Sequence, residues 1–434
     1  MPPASIYWVA YSGGLDSSVL LHALASVRGQ LVGELRAIHI HHGLQPEADA
    51  WTAHCRAACE RLGVPLTVCA LGLEPLPGKS LEAVAREARY QAIAGMMGKG
   101  EMLFTAHHQD DQAETVLLHL LRGSGVDGLA AMPPLKPWRK GYLARPLLAF
   151  TRQQLRDYAA QAGLEWIEDP SNLDTSLDRN YLRREILPRL KERWPATPAA
   201  FARSAGHCAD ARGLLRDLAE IDLATAEGGG SDRLSLRALK KLSRARQRNL
   251  LRQWIRRQGF PVPDAGHIER IVIEVAGAGR DRMPMLKWQD TEVRRFRDEL
   301  FLMRPLPAVP DPNIRFDWDG ETPLTLPGGL GTLAIRKIRG EGIDPQRWRS
   351  GSIQVAFREG GERCRPCGQA HHRTLKHLFQ EAGLPPWLRD RTPLIFIDRR
   401  LAAIPGLVVC HPFCARPDVQ ALEIRHTRPE QSGE

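Results

Sequence analysis

A short apolar run, Ile6 to Ala10, leads at once into Ser12-Gly13-Gly14-Leu15-Asp16-Ser17. Apolar residues at helical spacing follow: Val19, Leu20, Ala23, Leu24 and Val27. This strand–turn–helix junction limits the chain more than any other feature. Glycines there let backbone N–H groups approach a ligand, and a helix opening at that point offers its positive end to an anion. The hydroxyls of Ser12 and Ser17 add donors. Asp16 suits an anion site only with a cation beside it, which makes it the candidate support for Mg²⁺. No Gly-x-x-x-x-Gly-Lys-Ser/Thr lies nearby, so the loop is not of the Walker type. The bland alternative is a plain strand-to-helix turn capped by serine.

The same rhythm continues for 150 residues. Strand candidates at 35–40, 64–71, 102–106 and 142–148 alternate with three helical faces. The faces are Trp51, Cys55, Ala58, Cys59, Leu62; then Leu81, Val84, Ala85, Ala88, Ile93; then Ala113, Val116, Leu117, Leu120, Leu121. Such alternation predicts an α/β fold, a doubly wound parallel sheet with its ligand beyond the carboxyl ends of the strands. Thr151 and Gln154 form a capping-box pattern for a helix ending near Gly163.

At 434 residues and about 150 per domain, roughly three domains are expected. Residues 200–259 read as helical, broken at Gly228-Gly229-Gly230. Pro305, Pro307, Pro310 and Pro312 mark a linker. Beyond it lie strand-like runs at 332–338, 394–397 and 401–404 and a helix at 374–382, an α+β pattern. The expected domains are 1–200, 201–305 and 313–434. Residues 1–200 hold 21 basic and 21 acidic side chains, whereas residues 201–434 hold 39 and 29. A neutral first part with a basic remainder suggests chemistry in one and polyanion binding in the other. With 43% hydrophobic and 25% charged residues, global disorder is excluded. No run of about 18 apolar residues predicts a membrane span. The first 30 residues lack a leader pattern, and eight cysteines in so long a chain form no tight framework, so a reduced, cytosolic protein is expected.

The hexapeptide Ser12 to Ser17 resembles the pyrophosphate-binding loop of the PP-loop ATPases, which cleave ATP between its α and β phosphates. Further motifs select within that group. They are Ile38-His39-Ile40-His41-His42-Gly43-Leu44, Arg86-Glu87-Ala88-Arg89-Tyr90, His107 through Thr115, Arg122-Gly123-Ser124-Gly125, Glu168-Asp169-Pro170-Ser171-Asn172 and Arg179-Asn180-Tyr181-Leu182-Arg183. With Gly360-Gly361-Glu362-Arg363, Leu375-Lys376 and Pro385-Pro386-Trp387, the series is similar to the tRNA(Ile)-lysidine synthetase family.

The resemblance implies an adenine nucleotide alpha hydrolase-like catalytic domain, a mainly helical middle domain and a small α+β C-terminal domain, the last two binding tRNA. It implies ATP-dependent ligation of L-lysine to C2 of the wobble cytidine of isoleucine tRNA with a CAU anticodon. An adenylated tRNA would be the intermediate, AMP and pyrophosphate the products, and a change from AUG to AUA reading the consequence. Ser12, Gly13, Gly14, Leu15, Asp16 and Ser17 are then the ATP-binding set. Catalytic roles fall to Asp16, His107, Asp111, Arg179 and Arg183, with His107 for the α-phosphate and Asp111 as base or cytidine contact. Asp110 or Glu114 could instead serve the metal. His41, His42, Arg86 and Arg89 would line the substrate pocket, and Arg252, Arg256, Arg363, Lys376 and Trp387 would contact tRNA.

Each role has a rival. His107, His108, Asp110 and Asp111 could be zinc ligands, though no separated third ligand stands out. Arg86 and Arg89 could be solvated and paired with Glu82 or Glu87, and Asp169 and Asn172 could only form a turn. The arginines at 244, 246, 248, 252, 256 and 257 crowd one helical stretch, and Arg294, Arg295 and Arg297 extend the patch; a solvated face is the alternative. Cys364, Cys367, Cys410 and Cys414 have zinc-like spacing, whereas Cys55 and Cys59 look like core. A thiolating transferase and an RNA-binding protein with a vestigial nucleotide fold are the competing functions.

Overall fold

The computed structural model describes residues 2–41, 47–71, 81–279 and 282–428. The chain forms two compact units, Met1–Leu215 and Arg216–Glu434. The first holds β1 (Ile6–Ala10), α1 (Leu15–Ser26), β2 (Glu34–His41), α2 (Ala48–Leu62), β3 (Leu66–Ala70), α3 (Leu81–Met96), β4 (Met102–Phe104) and α4 (Gln109–Leu121). There follow α5 (Val126–Leu129), β5 (Leu135–Trp138), β6 (Gly141–Ala144), α6 (Arg152–Gln161), α7 (Asp178–Tyr181), α8 (Leu187–Arg193) and α9 (Thr197–Ala226).

The six strands lie in the order β3-β2-β1-β4-β6-β5, parallel except for the β5–β6 pair. Chain order reverses direction between β1 and β4. The carboxyl ends of those two strands therefore flank the crevice where such sheets bind ligands. Both faces are covered, which is why the strands read as continuous apolar runs. One face buries Val19, Leu20 and Leu24 of α1, Cys55 and Cys59 of α2, and Leu155 of α6. The other buries Trp8, Ile38, Leu103 and Leu143 against Ile93 of α3. The capping box at Thr151 forms as expected: Thr151 Oγ1 accepts from the Gln154 N–H at 3.2 Å, and Gln154 Oε1 accepts from the Thr151 N–H at 2.9 Å.

The division between the two units falls within α9, at Leu215/Arg216. The second unit begins with β7 (Arg233–Ser235), α10 (Leu236–Lys241), α11 (Arg244–Arg257), α12 (Ala265–Arg270), β8 (Met285–Trp288), β9 (Thr291–Phe296) and β10 (Glu299–Met303). Beside its helices, the middle region thus carries a four-stranded antiparallel sheet, β7-β10-β9-β8, absent from the sequence reading. Leu250, Leu251, Trp254 and Ile255 of α11 bury their faces against Leu286, Val293 and Leu300 of that sheet.

After the proline segment come β11 (Arg315–Asp317), β12 (Leu324–Thr325), β13 (Thr332–Arg339), α13 (Pro345–Ser350), β14 (Ile353–Ala356), β15 (Arg363–Cys364), β16 (Arg373–Thr374), α14 (Leu375–Glu381), α15 (Pro386–Arg389), β17 (Leu394–Ile397), β18 (Arg400–Ile404), β19 (Val408–Val409) and β20 (Gln420–Thr427). They form sheets β11-β14-β17-β18-β19 and β12-β13-β20 and the β15–β16 hairpin, an α+β arrangement. The expectation that the cysteines form no framework is corrected for four of them, which gather in two pairs. Cys364 pairs with Cys410 and Cys367 with Cys414, while Cys55, Cys59, Cys69 and Cys208 stay free.

Candidate active site

The loop after β1 is folded by its own side chains. The Ser12 N–H donates to Ser17 Oγ at 3.3 Å, and Ser17 Oγ donates to the Gly14 carbonyl at 3.0 Å. Gly13 has φ +82°, and a Cβ there would meet Cys55 Sγ and Ile167 Cδ1 at 2.9 Å, so glycine is required on both counts. Gly14 is the extended N-cap of α1, and no side chain caps the helix. Its first N–H groups are left for an anion. Leu15 points the other way, into the core, and anchors the helix start.

Across the crevice, His108 is the N-cap of α4. Its Nδ1 accepts from the Asp111 N–H at 3.4 Å, and Asp111 Oδ2 accepts from the His108 N–H at 3.1 Å. The same imidazole turns Nε2 to Asp16 Oδ2 and Asp111 Oδ2, both at 3.5 Å. Burial opposes a charged ring, but the Asp16 hydrogen bond and the charges of Asp111, Asp16 and Asp110 outweigh it and hold His108 above the ordinary histidine range. Asp16 Oδ1 is buried without a hydrogen-bond partner.

His107, expected at the α-phosphate, lies just before α4, which starts at Gln109, and meets Thr105 Oγ1 at 2.9 Å. His108 fills the place between the carboxylates. Asp110 is withdrawn from the metal candidates: it accepts from the Arg152 N–H at 2.8 Å and from Lys191 Nζ.

Behind Asp111 lies a fully buried carboxylate, Glu114. Arg183 grips it with Nε at 2.6 Å and Nη2 at 3.0 Å, and the same Nη2 donates to Asp111 Oδ1 at 2.8 Å. Arg179 Nε stands 3.4 Å from Glu114 Oε2, and its Nη2 donates to Thr115 Oγ1 at 3.1 Å. Burial pushes the Glu114 carboxyl above its usual range despite Arg183. For Asp111, burial is outweighed by His108, His107 and Arg183, and its carboxyl is held low. Arg184 is exposed, so Arg183 alone of the two faces inward. A cavity of about 470 Å³ opens between Glu114, Arg183, Asp110, Lys191 and Arg152.

Comparison with known proteins covers all three parts of the chain. A family described as "PP-loop domain" matches residues 2–190, "TilS substrate binding domain" matches 234–301, and "TilS substrate C-terminal domain" matches 353–426. The tRNA(Ile)-lysidine synthase of Methylococcus capsulatus is 50% identical over 405 residues, covering 93% of this chain and 92% of that one. Those of Alkalilimnicola ehrlichii and Coxiella burnetii are 45% and 44% identical, covering 98% and 95% of this chain and 94% and 91% of theirs. The chain belongs to the tRNA(Ile)-lysidine synthase family. It has the family's PP-loop domain, and with it ATP use.

Among the pocket residues expected of a family member, His41 ends β2 and pairs with Asp49 at 3.1 Å. His42 lies outside the described residues, and Arg86 is placed on α3 by its backbone alone. Arg89 acts on His39: burial first, then the charges of His41, Arg56 and Arg89, hold that buried imidazole low.

The family's tRNA-binding half places its arginines unevenly. On α11, Arg246 is held by Asp222, Arg248 by Glu269 at 3.2 Å, and Arg257 by Glu220 and Glu227 at 3.4 and 3.1 Å. Arg256 is exposed and donates to Gln253 at 3.1 Å, and Arg252 is half-buried. The expected extension by Arg294, Arg295 and Arg297 is corrected. Arg295 is buried and donates to the Ala276 carbonyl at 3.2 Å, Arg294 pairs with Glu292 at 2.9 Å, and Arg297 donates to the Gln380 carbonyl at 2.6 Å. Trp387 is also no open stacking platform. Only 9% exposed, it packs edge-on to Phe301 and Phe296 at 5.4 and 6.0 Å, with the Arg294 guanidinium 5.3 Å over its ring. It pins α15 to the middle sheet. Arg363 and Lys376 are exposed.

Among the described residues, no helix is long and apolar enough to cross a membrane.

Proposed function

We propose that this protein ligates L-lysine to C2 of the wobble cytidine of isoleucine tRNA with a CAU anticodon, consuming ATP. The Asp16–His108–Asp111–Glu114 cluster beside the glycine loop carries this reading at the level of chemistry. The loop N–H groups of α1, with Ser12 and Ser17, hold the departing pyrophosphate. The buried, unpartnered Asp16 Oδ1 fits a hard cation, and with the phosphate oxygens Asp16 would hold Mg²⁺ there. When bound, that ion offsets charge on the polyphosphate.

The cytosine O2 attacks the α-phosphorus, an O–P bond forms and the bond to pyrophosphate breaks. The O2 is then an ester oxygen able to leave with AMP. His108, at the N-cap of α4, is held above the ordinary histidine range by its carboxylate neighbours and turns its Nε2 to Asp16 beside the loop. The lysine ε-amine attacks C2, a C–N bond forms and the C–O bond to AMP breaks. At pH 7 only about one amine in a few thousand is unprotonated. Asp111, beside His108 and Arg183, is the candidate proton acceptor or cytidine contact, and the fully buried Glu114 anchors Arg183 behind it. Arg179 pairs with the same Glu114. Arg86 and Arg89 suit the lysine carboxylate or the nucleotide. The tRNA body lies on the second unit, with Arg363 and Lys376 on phosphates and Arg252 and Arg256 as further candidates. The outcome is a wobble base that reads AUA in place of AUG.

The test incubates protein with ATP, Mg²⁺, labelled lysine and unmodified tRNA, then reads digested tRNA by mass spectrometry. Lysine minus water gained on one cytidine, with AMP released, is the expected result. AMP release stimulated by tRNA without lysine transfer would move the nucleophile to another class, sulfur first.

A further inference from the structure

Two cysteine pairs bridge two facing turns of the second unit. Cys364 ends β15, and Cys367 lies past the turn through Pro366; Cys410 follows β19, and Cys414 lies four residues on. Backbone bonds hold the turns together. The Cys367 N–H donates to the Val409 carbonyl at 3.0 Å, the His411 N–H donates to the Arg365 carbonyl at 2.8 Å, and Pro366 bridges to Cys410. The sulfurs pair across the turns with Cα separations of 5.7 and 6.0 Å. While so bonded they offer no thiolate, and among the described residues no group of three or more His, Cys, Asp or Glu stands ready for a metal.

What these turns support needs fastening. β15, β16 and β19 have two residues each, too few to pair stably alone. The core beneath them is small: Leu375, Leu378, Phe379, Leu394 and Ile404, with Cys364 and Cys410 buried among them. The hairpin carries exposed Arg363 and runs through Thr374 into α14, which carries exposed Lys376.

Two disulfides or one metal could do the fastening, and two observations favour the metal. Cys-x-x-Cys opposite Cys-x-x-x-Cys on paired turns is the ligand spacing of structural zinc sites. The other four cysteines are free thiols, a usage that fits a reducing compartment where structural disulfides do not persist. A tRNA-modifying enzyme works in such a compartment, and only this last point rests on the function given above.

We propose that the four sulfurs Cys364, Cys367, Cys410 and Cys414 hold one structural zinc ion in the working protein. Binding forms four Zn–S bonds, breaks four S–H bonds and releases four protons, so no oxidant enters. With the four cysteines as thiols, the Cα separations of 5.7 and 6.0 Å leave room for side-chain rotation to bring the sulfurs onto one ion at Zn–S distances of about 2.3 Å. Cys364 and Cys410 would hold the ion from the core side, and Cys367 and Cys414 would close it at the surface. The ion is a staple for the basic hairpin and has no part in the ATP chemistry of the first unit.

The full chain, purified anaerobically without chelators, is assayed for zinc by plasma mass spectrometry, and its cysteines are counted by alkylation in denaturant. One zinc per chain and all eight cysteines alkylated are expected. In the double variant Cys367→Ser, Cys414→Ser, zinc should fall to background. Should that variant fail to fold, mercurial titration of the wild type should release zinc in step with four thiols, and cobalt exchange should give thiolate-to-cobalt absorption. A zinc-free chain whose four cysteines resist alkylation until reduced would overturn the proposal. So would a zinc-free chain with eight free thiols that takes up no cobalt. Zinc without lysine transfer would leave this site standing and sink the function reading instead.

Discussion

Asp16 keeps one buried carboxylate oxygen that no protein group answers, and a buried unmet acceptor costs about 1–3 kcal/mol. Such a cost is tolerated where a ligand answers it. Asp16→Asn keeps the shape and removes the charge. AMP release in the presence of tRNA should fall about 100-fold or more, as when a preorganised electrostatic group is removed. Filter binding should show tRNA affinity unchanged, and wild-type AMP release would remove Asp16 from the cation's support. The nearby cysteines make a second prediction. Burial pushes the Cys55 thiol up to about 12 and Cys59 up to about 11. At pH 8 their thiolate fractions are negligible, whereas Cys69 and Cys208 are partly exposed. Brief alkylation of the native protein, mapped by mass, should mark Cys69 and Cys208 and spare Cys55 and Cys59. Rapid labelling of Cys55 would mean that the wall behind Gly13 is open. At this scale the sequence exposed the loop, because glycine, hydroxyl and acid side chains have few other reasons to cluster. It did not single out His108, because which of two adjacent histidines faces the carboxylates depends on where the helix starts.

The helices α1 to α4 of the first unit were legible because each has at least 12 residues of periodic pattern, and β1 and the Thr151 capping box fell where the pattern put them. The sheet β7-β10-β9-β8 was not, because charged Glu292, Arg294 and Arg295 break the apolar run of β9. Lys191 was missed because only the return of α8 brings it to Asp110. The contact between α4 and the segment after α7 carries its own prediction. Arg183→Ala would leave Glu114, fully buried, without its fork, and breaking such a pair from one side costs about 3 kcal/mol. Glu114 is already held above its usual range, and losing Arg183 raises it further. The folded variant then keeps a proton that the unfolded chain releases above about pH 4.3. Its stability deficit against wild type should be smallest near pH 5 and grow toward pH 8, read by denaturant midpoints. A deficit independent of pH would show that the loss is one of packing rather than charge.

On the scale of the molecule, the basic excess of residues 201–434 divides into arginines that hold the fold and cations left for a polyanion. Arg246, Arg248 and Arg257 are answered by Asp222, Glu269, Glu220 and Glu227, and Arg294, Arg295 and Arg297 bind carbonyls, Glu292 or aromatic rings. Net charge by segment could not separate the two kinds, because the separation depends on which acids α9 and α12 bring alongside. A cation already paired in the free protein releases no counterion on binding tRNA, whereas an exposed one does. Arg363→Ala with Lys376→Ala should therefore weaken tRNA binding and flatten the dependence of log affinity on log salt by about 1.5. Arg248→Ala should leave that slope unchanged while lowering stability modestly. The comparison needs binding curves at several salt concentrations for each variant. Equal slopes in all of them would move the tRNA footprint away from the β15–β16 hairpin, and a flattened slope in Arg248→Ala alone would return it to α11.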